Sequence, residues 1–116
     1  QEQFDAHLGQ MVEKLKAEGL LDNTIIVVTA DNGMPFPRIK GQAYHISNHL
    51  PMLVYWPNGI PQKGVKNFDF VNFIDLAPTF LEVAGIDGEA KGMQQIEGRS
   101  MLSLIKSGNS KYDSSR

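Results

Sequence analysis

The chain has 116 residues, a formal charge of −2 and 21% charged side chains, enough length for one small domain with one core. That balance gives no electrostatic case for nucleic acid or an anionic membrane as partner, and no apolar run approaches the about 18 residues of a membrane-spanning helix. Cysteine is absent, which excludes disulfides, thiolate metal sites and a cysteine nucleophile from these residues.

Phe4, Leu8, Met11, Val12 and Leu15 fall at helical spacing with polar residues between them. They predict an amphipathic helix from Glu2 to Glu18, ended by Gly19 at the C′ position. His7 on this helix reads as an ordinary surface or packing histidine. Leu20 to Asn23 is a turn. Ile25 to Val28 is then an unbroken β-branched run, the pattern of a strand buried on both faces of a parallel sheet. Helix, short turn and buried strand make half of a βαβ unit, so the fold class read from the chain is α/β.

The strand stops at Asp31, Asn32 and Gly33. Ligands in open α/β sheets sit beyond the carboxyl ends of the strands. Asp31 and Asn32 are therefore either two hard oxygen ligands side by side or a simple Asp-Asn-Gly turn. Pro35 and Pro37 make the next segment a stiff extended loop. It carries Arg38 and Lys40 close to the Asp-Asn pair. Acids able to hold a divalent cation, with cations beside them, suit an anionic group such as sulfate or phosphate. The plain alternative is two solvated loop charges.

Tyr44 to His49 reads as irregular. His45 and His49 stand four apart, which on a helix would be a metal pair, but Asn48 and Leu50-Pro51 argue against a helix and disfavour zinc. Met52 to Trp56 is a second strand, closed by Pro57-Asn58-Gly59. Ile60 to Phe68 is a surface connection. Asn72 or Asp75 caps the next helix, Pro78 lies in its first turns and Gly85 ends it. Phe73, Leu76 and Leu81 supply its apolar face. Asp87 to Gly98 is loop-like. Ser100 then caps a short helix from Met101 to Lys106, with Gly108 beyond it. Residues 1–106 read as one domain part, and 107–116 as a polar loop or tail.

In this order the elements resemble the sulfatases, members of the alkaline-phosphatase-like superfamily. The resemblance rests on residues 19–33, then Lys40-Gly41 and Tyr44, Leu50-Pro51-Met52 and Trp56-Pro57. It continues with Ile74-Asp75-Leu76-Ala77-Pro78-Thr79-Phe80-Leu81, Ala84-Gly85 and Gly98-Arg99-Ser100. The loop Gly33-Met34-Pro35-Phe36-Pro37 is most similar to the heparan N-sulfatase (sulfamidase) branch. The resemblance implies a partial sulfatase-like sheet with flanking helices. It implies Asp31 and Asn32 as one ligand pair of a calcium ion, and Lys40 as a catalytic cation contacting sulfate. Arg38 has no fixed counterpart and is a substrate-binding candidate by proximity.

The family's nucleophile is a formylglycine made within a Cys/Ser-x-Pro-x-Arg motif, and the family carries early Asp-Asp metal ligands. Neither occurs in these residues. The expectation is thus a carboxyl-terminal part of a catalytic domain, inactive and weak in calcium binding by itself and prone to self-association. The parent would act on a sulfated carbohydrate of glycosaminoglycan type, in a periplasmic, extracellular or lysosomal setting. Where the family often has an acid, glycines and an arginine, this chain has His45, Ile46-Ser47 and His49. Those histidines are substrate-binding candidates or packing residues. Phosphodiesterase and phosphoglycerate-mutase-like relatives, which use zinc or manganese, tend to carry Asp-His-Gly where Asn32 stands. A non-catalytic interaction domain, with Asp31-Asn32-Gly33 a mere turn, is the rival of another class.

Overall fold

A computed structural model describes residues 2–107. The chain divides into two compact units, Gln1–Gly59 and Ile60–Arg116.

The first unit opens with helix α1, Glu2–Ala17, whose first turn carries Glu2 and Asp5 and whose last turn carries Lys14 and Lys16. Both placements oppose the helix dipole favourably. Gly19 adopts a φ of 67°. Leu20 N–H donates to the Leu15 carbonyl (2.9 Å) and Gly19 N–H to Lys16 (3.1 Å). This pair of bonds satisfies orphan carbonyls of the last turn and requires the left-handed residue that glycine accepts most readily. A 3-10 turn, Leu21–Asn23, leads to strand β1, Ile26–Thr29.

β1 pairs with β2, Met52–Tyr55, in the register Ile26 to Tyr55 through Thr29 to Met52. The pairing is antiparallel, which corrects the parallel arrangement expected from the β-branched run. Such a run reports burial and β propensity, not the direction of the neighbour. Nor is β1 buried on both faces: Ile26, Val27 and Val28 are half-buried. On β2, alternate side chains face solvent, with Leu53 56% exposed. The described sheet has two strands, so each strand keeps an open edge. Thr29 Oγ1 donates to the Pro51 carbonyl (2.8 Å), and Asn58 N–H to the Asp22 carbonyl (3.1 Å). These bonds tie the end of β1 to the start of β2, and the exit of β2 back to the turn before β1.

Between the strands, His45–Asn48 forms a single helical turn, α2, where an irregular segment was expected. Tyr44 is extended (φ −92°, ψ 154°), and its carbonyl accepts the Ser47 N–H (2.9 Å). His49 N–H donates to His45 (2.9 Å). The steric restriction from Pro51 reaches Leu50 only, which leaves residues 45–48 free to coil.

In the second unit a 3-10 turn, Phe73–Asp75, runs into helix α3, Leu76–Ala84. Pro78 is the third residue of α3, where its missing N–H would have had no intrahelical partner anyway. Gly85, at φ 65°, ends the helix with the same bond pair seen after α1: Ile86 N–H to Leu81 (2.9 Å) and Gly85 N–H to Glu82 (3.1 Å). The segment expected as loop, 87–98, contains a 3-10 turn, Glu89–Lys91, whose Ala90 N–H donates to Asp87 Oδ1 (3.1 Å). Helix α4 is Leu102–Ser107, and Ser100 Oγ accepts the Leu102 N–H (3.2 Å). Ser107 thus belongs to α4 rather than to the polar tail, and Gly108 and the rest of the tail lie outside the described residues.

Asp75 and Thr79 hold this unit together. Asp75 Oδ2 accepts the Asn72 N–H (3.0 Å) and Oδ1 the Arg99 N–H (2.8 Å). Thr79 Oγ1 donates to the Asp75 carbonyl (2.5 Å) and accepts the Met101 N–H (2.9 Å). Gly98 passes so close to α3's entry that a Cβ there would lie 2.0 Å from the Ile74 carbonyl oxygen. The two sequence motifs, around Asp75 and at Gly98-Arg99-Ser100, are therefore halves of one buried polar joint. Among the described residues Met101 and Leu102 are the buried hydrophobics, so these residues do not build the single sizeable core expected from length.

Candidate functional site

β1 delivers Asp31 and Asn32 two and three residues beyond its last residue, Thr29. The Thr29–Pro51 bond fixes this point of departure. Asp31 is exposed and Asn32 half-buried. Gly33 then meets two other segments. A Cβ on Gly33 would lie 2.4 Å from Ile39 Cγ2 and 3.6 Å from both the Ile46 carbonyl oxygen and Ser47 Cα. Glycine is needed for this approach, because any larger residue would push the Ile39 side chain away.

The proline loop is tightened by Phe36 N–H to Met34 (2.7 Å) and Ile39 N–H to Phe36 (3.1 Å). Arg38 sits at φ 65°, in the left-handed region that a non-glycine residue rarely occupies. Its carbonyl accepts a hydrogen bond from Ser47 Oγ at 3.2 Å, and Ser47 is itself buried. The side chains of Arg38 and Lys40 are exposed, as are those of His45 and His49. The two imidazole rings lie 5.0 Å apart, centre to centre, at 50°.

The backbone thus brings three segments to one place: 31–33, 38–40 and 45–49. They carry all six residues singled out from the sequence. Ser47 is the residue that sequence reasoning passed over. A serine between two histidines gives no signal of its own, and its burial exists only once the loop has closed. Two shallow open hollows of about 480 Å³ lie elsewhere: one in the second unit, lined by residues including Leu81, Ile86 and Ile96, the other on α1 beside His7, Met11 and Leu15.

Asp31 and Asn32 offer a carboxylate and a carboxamide oxygen, the donor chemistry calcium takes. Two side-chain oxygens are fewer than the about 6–8 that such an ion uses. Among the described residues no three or more His, Asp or Glu side chains gather as a metal cluster, and no helix is long and apolar enough to cross a membrane.

An acid–amide pair thus lies just past the end of β1, with a cation-bearing loop folded against Gly33. The sequence profile of the family described as "Sulfatase" matches residues 2–86. The chain is 30% identical over 110 residues to an ulvan-active sulfatase of Formosa agariphila, covering 95% of this chain and 18% of that protein. It is 37% identical to an extracellular sulfatase SULF-1 homolog of Drosophila melanogaster, covering 90% of this chain and 9% of the relative. It is 32% identical to the human N-sulphoglucosamine sulphohydrolase, over 68% of this chain and 16% of that enzyme. The chain belongs to the sulfatase family. It spans less than a fifth of the length of each of these relatives. Membership carries an alkaline-phosphatase-like α/β fold, of which the helices and the small sheet are a part.

Proposed function

We propose that this chain supplies one side of a sulfatase active site that hydrolyses sulfate esters or N-sulfate groups of sugars. Relatives named for sulfated glucosamine derivatives, N-sulphoglucosamine sulphohydrolase and N-acetylglucosamine-6-sulfatase of Homo sapiens, support a glycosaminoglycan-type substrate. The observation that carries the reading is the convergence at Gly33 of the Asp31-Asn32 segment with the Arg38–Lys40 loop.

In this reading Asp31 and Asn32 hold a calcium ion together with oxygens from outside these 116 residues. Bound there, the ion would act as a Lewis acid toward a sulfate oxygen. Lys40 places a fixed positive charge where negative charge accumulates on the sulfate oxygens as the S–O or S–N bond breaks. The left-handed Arg38, clamped through its carbonyl by Ser47, sets the direction in which the chain leaves toward Lys40. In the same reading Arg38, His45 and His49 contact the sugar, which their exposed side chains support. The formylglycine motif is not among these residues, so the chain by itself is proposed to be inactive.

The test is Lys40→Ala in the full-length parent, assayed by steady-state kinetics on a sulfated glucosamine. Loss of one preorganised charge contact is expected to lower kcat by about 10²–10³-fold, with partial recovery in Lys40→Arg. A kcat within about threefold of the parent's would remove Lys40 from the chemistry.

A further inference from the structure

The coiling of residues 45–48 removes the ground on which a metal pair was disfavoured. His45 and His49 now stand one helical turn apart, joined by the bond from His49 N–H to the His45 carbonyl (2.9 Å). Side chains at i and i+4 on a helical turn share a face. Their rings are 5.0 Å apart, tilted by 50°, and both are exposed to solvent. A zinc ion about 2.0–2.1 Å from a ring nitrogen lies about 3.2 Å from that ring's centre, so two imidazoles on one tetrahedral ion have centres about 5 Å apart. The observed separation of the ring centres matches that distance.

We propose that His45 and His49 form a two-nitrogen site for a nitrogen-preferring divalent ion such as zinc, separate from the oxygen pair Asp31-Asn32. Imidazole selects zinc, copper or nickel, whereas carboxylate and carboxamide oxygens select calcium or magnesium. Neighbouring segments would thus take ions of different chemistry. Two protein ligands leave the remaining coordination positions to water, so the site exchanges its ion readily and keeps positions open to a substrate hydroxyl or carboxylate. Occupancy has a mechanical consequence as well. Ser47, on the same turn, holds the Arg38 carbonyl, so an ion that pins His45 to His49 stiffens the turn on which the Arg38–Lys40 loop rests. This inference does not depend on the sulfatase reading, because it uses only the two imidazoles and the turn that presents them.

The chain has three histidines, and His7 on α1 is a built-in control. The experiment is a calorimetric titration of zinc chloride into the untagged 116-residue chain, repeated with His45→Gln, His49→Gln and His7→Gln. Far-ultraviolet circular dichroism confirms that each variant keeps the parent's helix content. The expected result is one zinc ion per chain, with affinity weakened by about tenfold or more in either His45→Gln or His49→Gln, since each removes one of two nitrogens. His7→Gln is expected to change nothing. Histidine-ring NMR shifts on zinc addition should be confined to His45 and His49. Absence of binding at millimolar zinc, or binding indifferent to both substitutions, or equal loss in His7→Gln, would overturn the proposal.

Discussion

Replacing Thr79 by valine isolates the buried polar joint of the second unit. Thr79 is 1% exposed, and its hydroxyl donates to the Asp75 carbonyl while accepting the Met101 N–H at 2.9 Å. Valine has nearly the same shape, so no cavity opens. What is lost is the acceptor for an N–H whose own residue, Met101, is 2% exposed. Water has no access to replace it, and an unpaired buried donor costs about 1–3 kcal/mol. Taking about 2 kcal/mol, the opening equilibrium at this joint shifts by about thirtyfold. Amide hydrogen exchange followed residue by residue in the whole chain reads this directly. The Met101 and Arg99 amides should lose about thirtyfold in protection, while Thr79→Ser, which keeps the hydroxyl, should lose much less. If Thr79→Val left Met101 exchange within about threefold of the parent, the joint would not be what holds α3 to the segment before α4.

Two glycines should respond to alanine with opposite signs. At Gly98 a Cβ would collide with the Ile74 carbonyl oxygen at 2.0 Å, so Gly98→Ala should destabilise the second unit by about 1–3 kcal/mol or more, read by urea titration and amide exchange in 76–84. At Gly9, inside α1, nothing lies within 4 Å, so Gly9→Ala should add about 0.5–1 kcal/mol to helix stability and raise the far-ultraviolet helical signal. Exposed apolar side chains such as Phe68 (75%), Phe70 (68%) and Met11 (62%), together with the open edges of the two-stranded sheet, should drive the purified chain to associate with itself. Light scattering across a concentration series is expected to show a rising mass, and a constant monomer mass would count against it.

Much of the local structure was written in single residues. Gly19 and Gly85 end α1 and α3 because only a left-handed residue lets the next N–H reach back to the open carbonyls. Asp31 and Asn32 fall just past β1 because a β-branched run that meets acid, amide and glycine has nothing left to bury. The direction of strand pairing was not legible. Ile25 to Val28 declares a strand, but the identity and direction of its neighbour come from the path of residues 30–51. The turn at His45–Asn48 was not legible: Asn48 closes a single helical turn as its last residue, and Pro51 restricts Leu50 alone. Ser47 carries tertiary information alone: it matters through a hydroxyl inside a closed loop and leaves no local pattern. Gly98 stands in the Gly98-Arg99-Ser100 motif, but that motif does not reveal the close approach to the Ile74 carbonyl that requires glycine there.

The most direct measurement is calcium content and turnover of the full-length parent carrying Asp31→Ala, with a folded-state check by thermal unfolding. Loss of a carboxylate ligand should drop calcium stoichiometry well below one per molecule and reduce turnover of a sulfated glucosamine by about a hundredfold or more, while the protein stays folded. A variant that keeps both its calcium and its turnover would mean that Asp31 merely shapes a bend after β1.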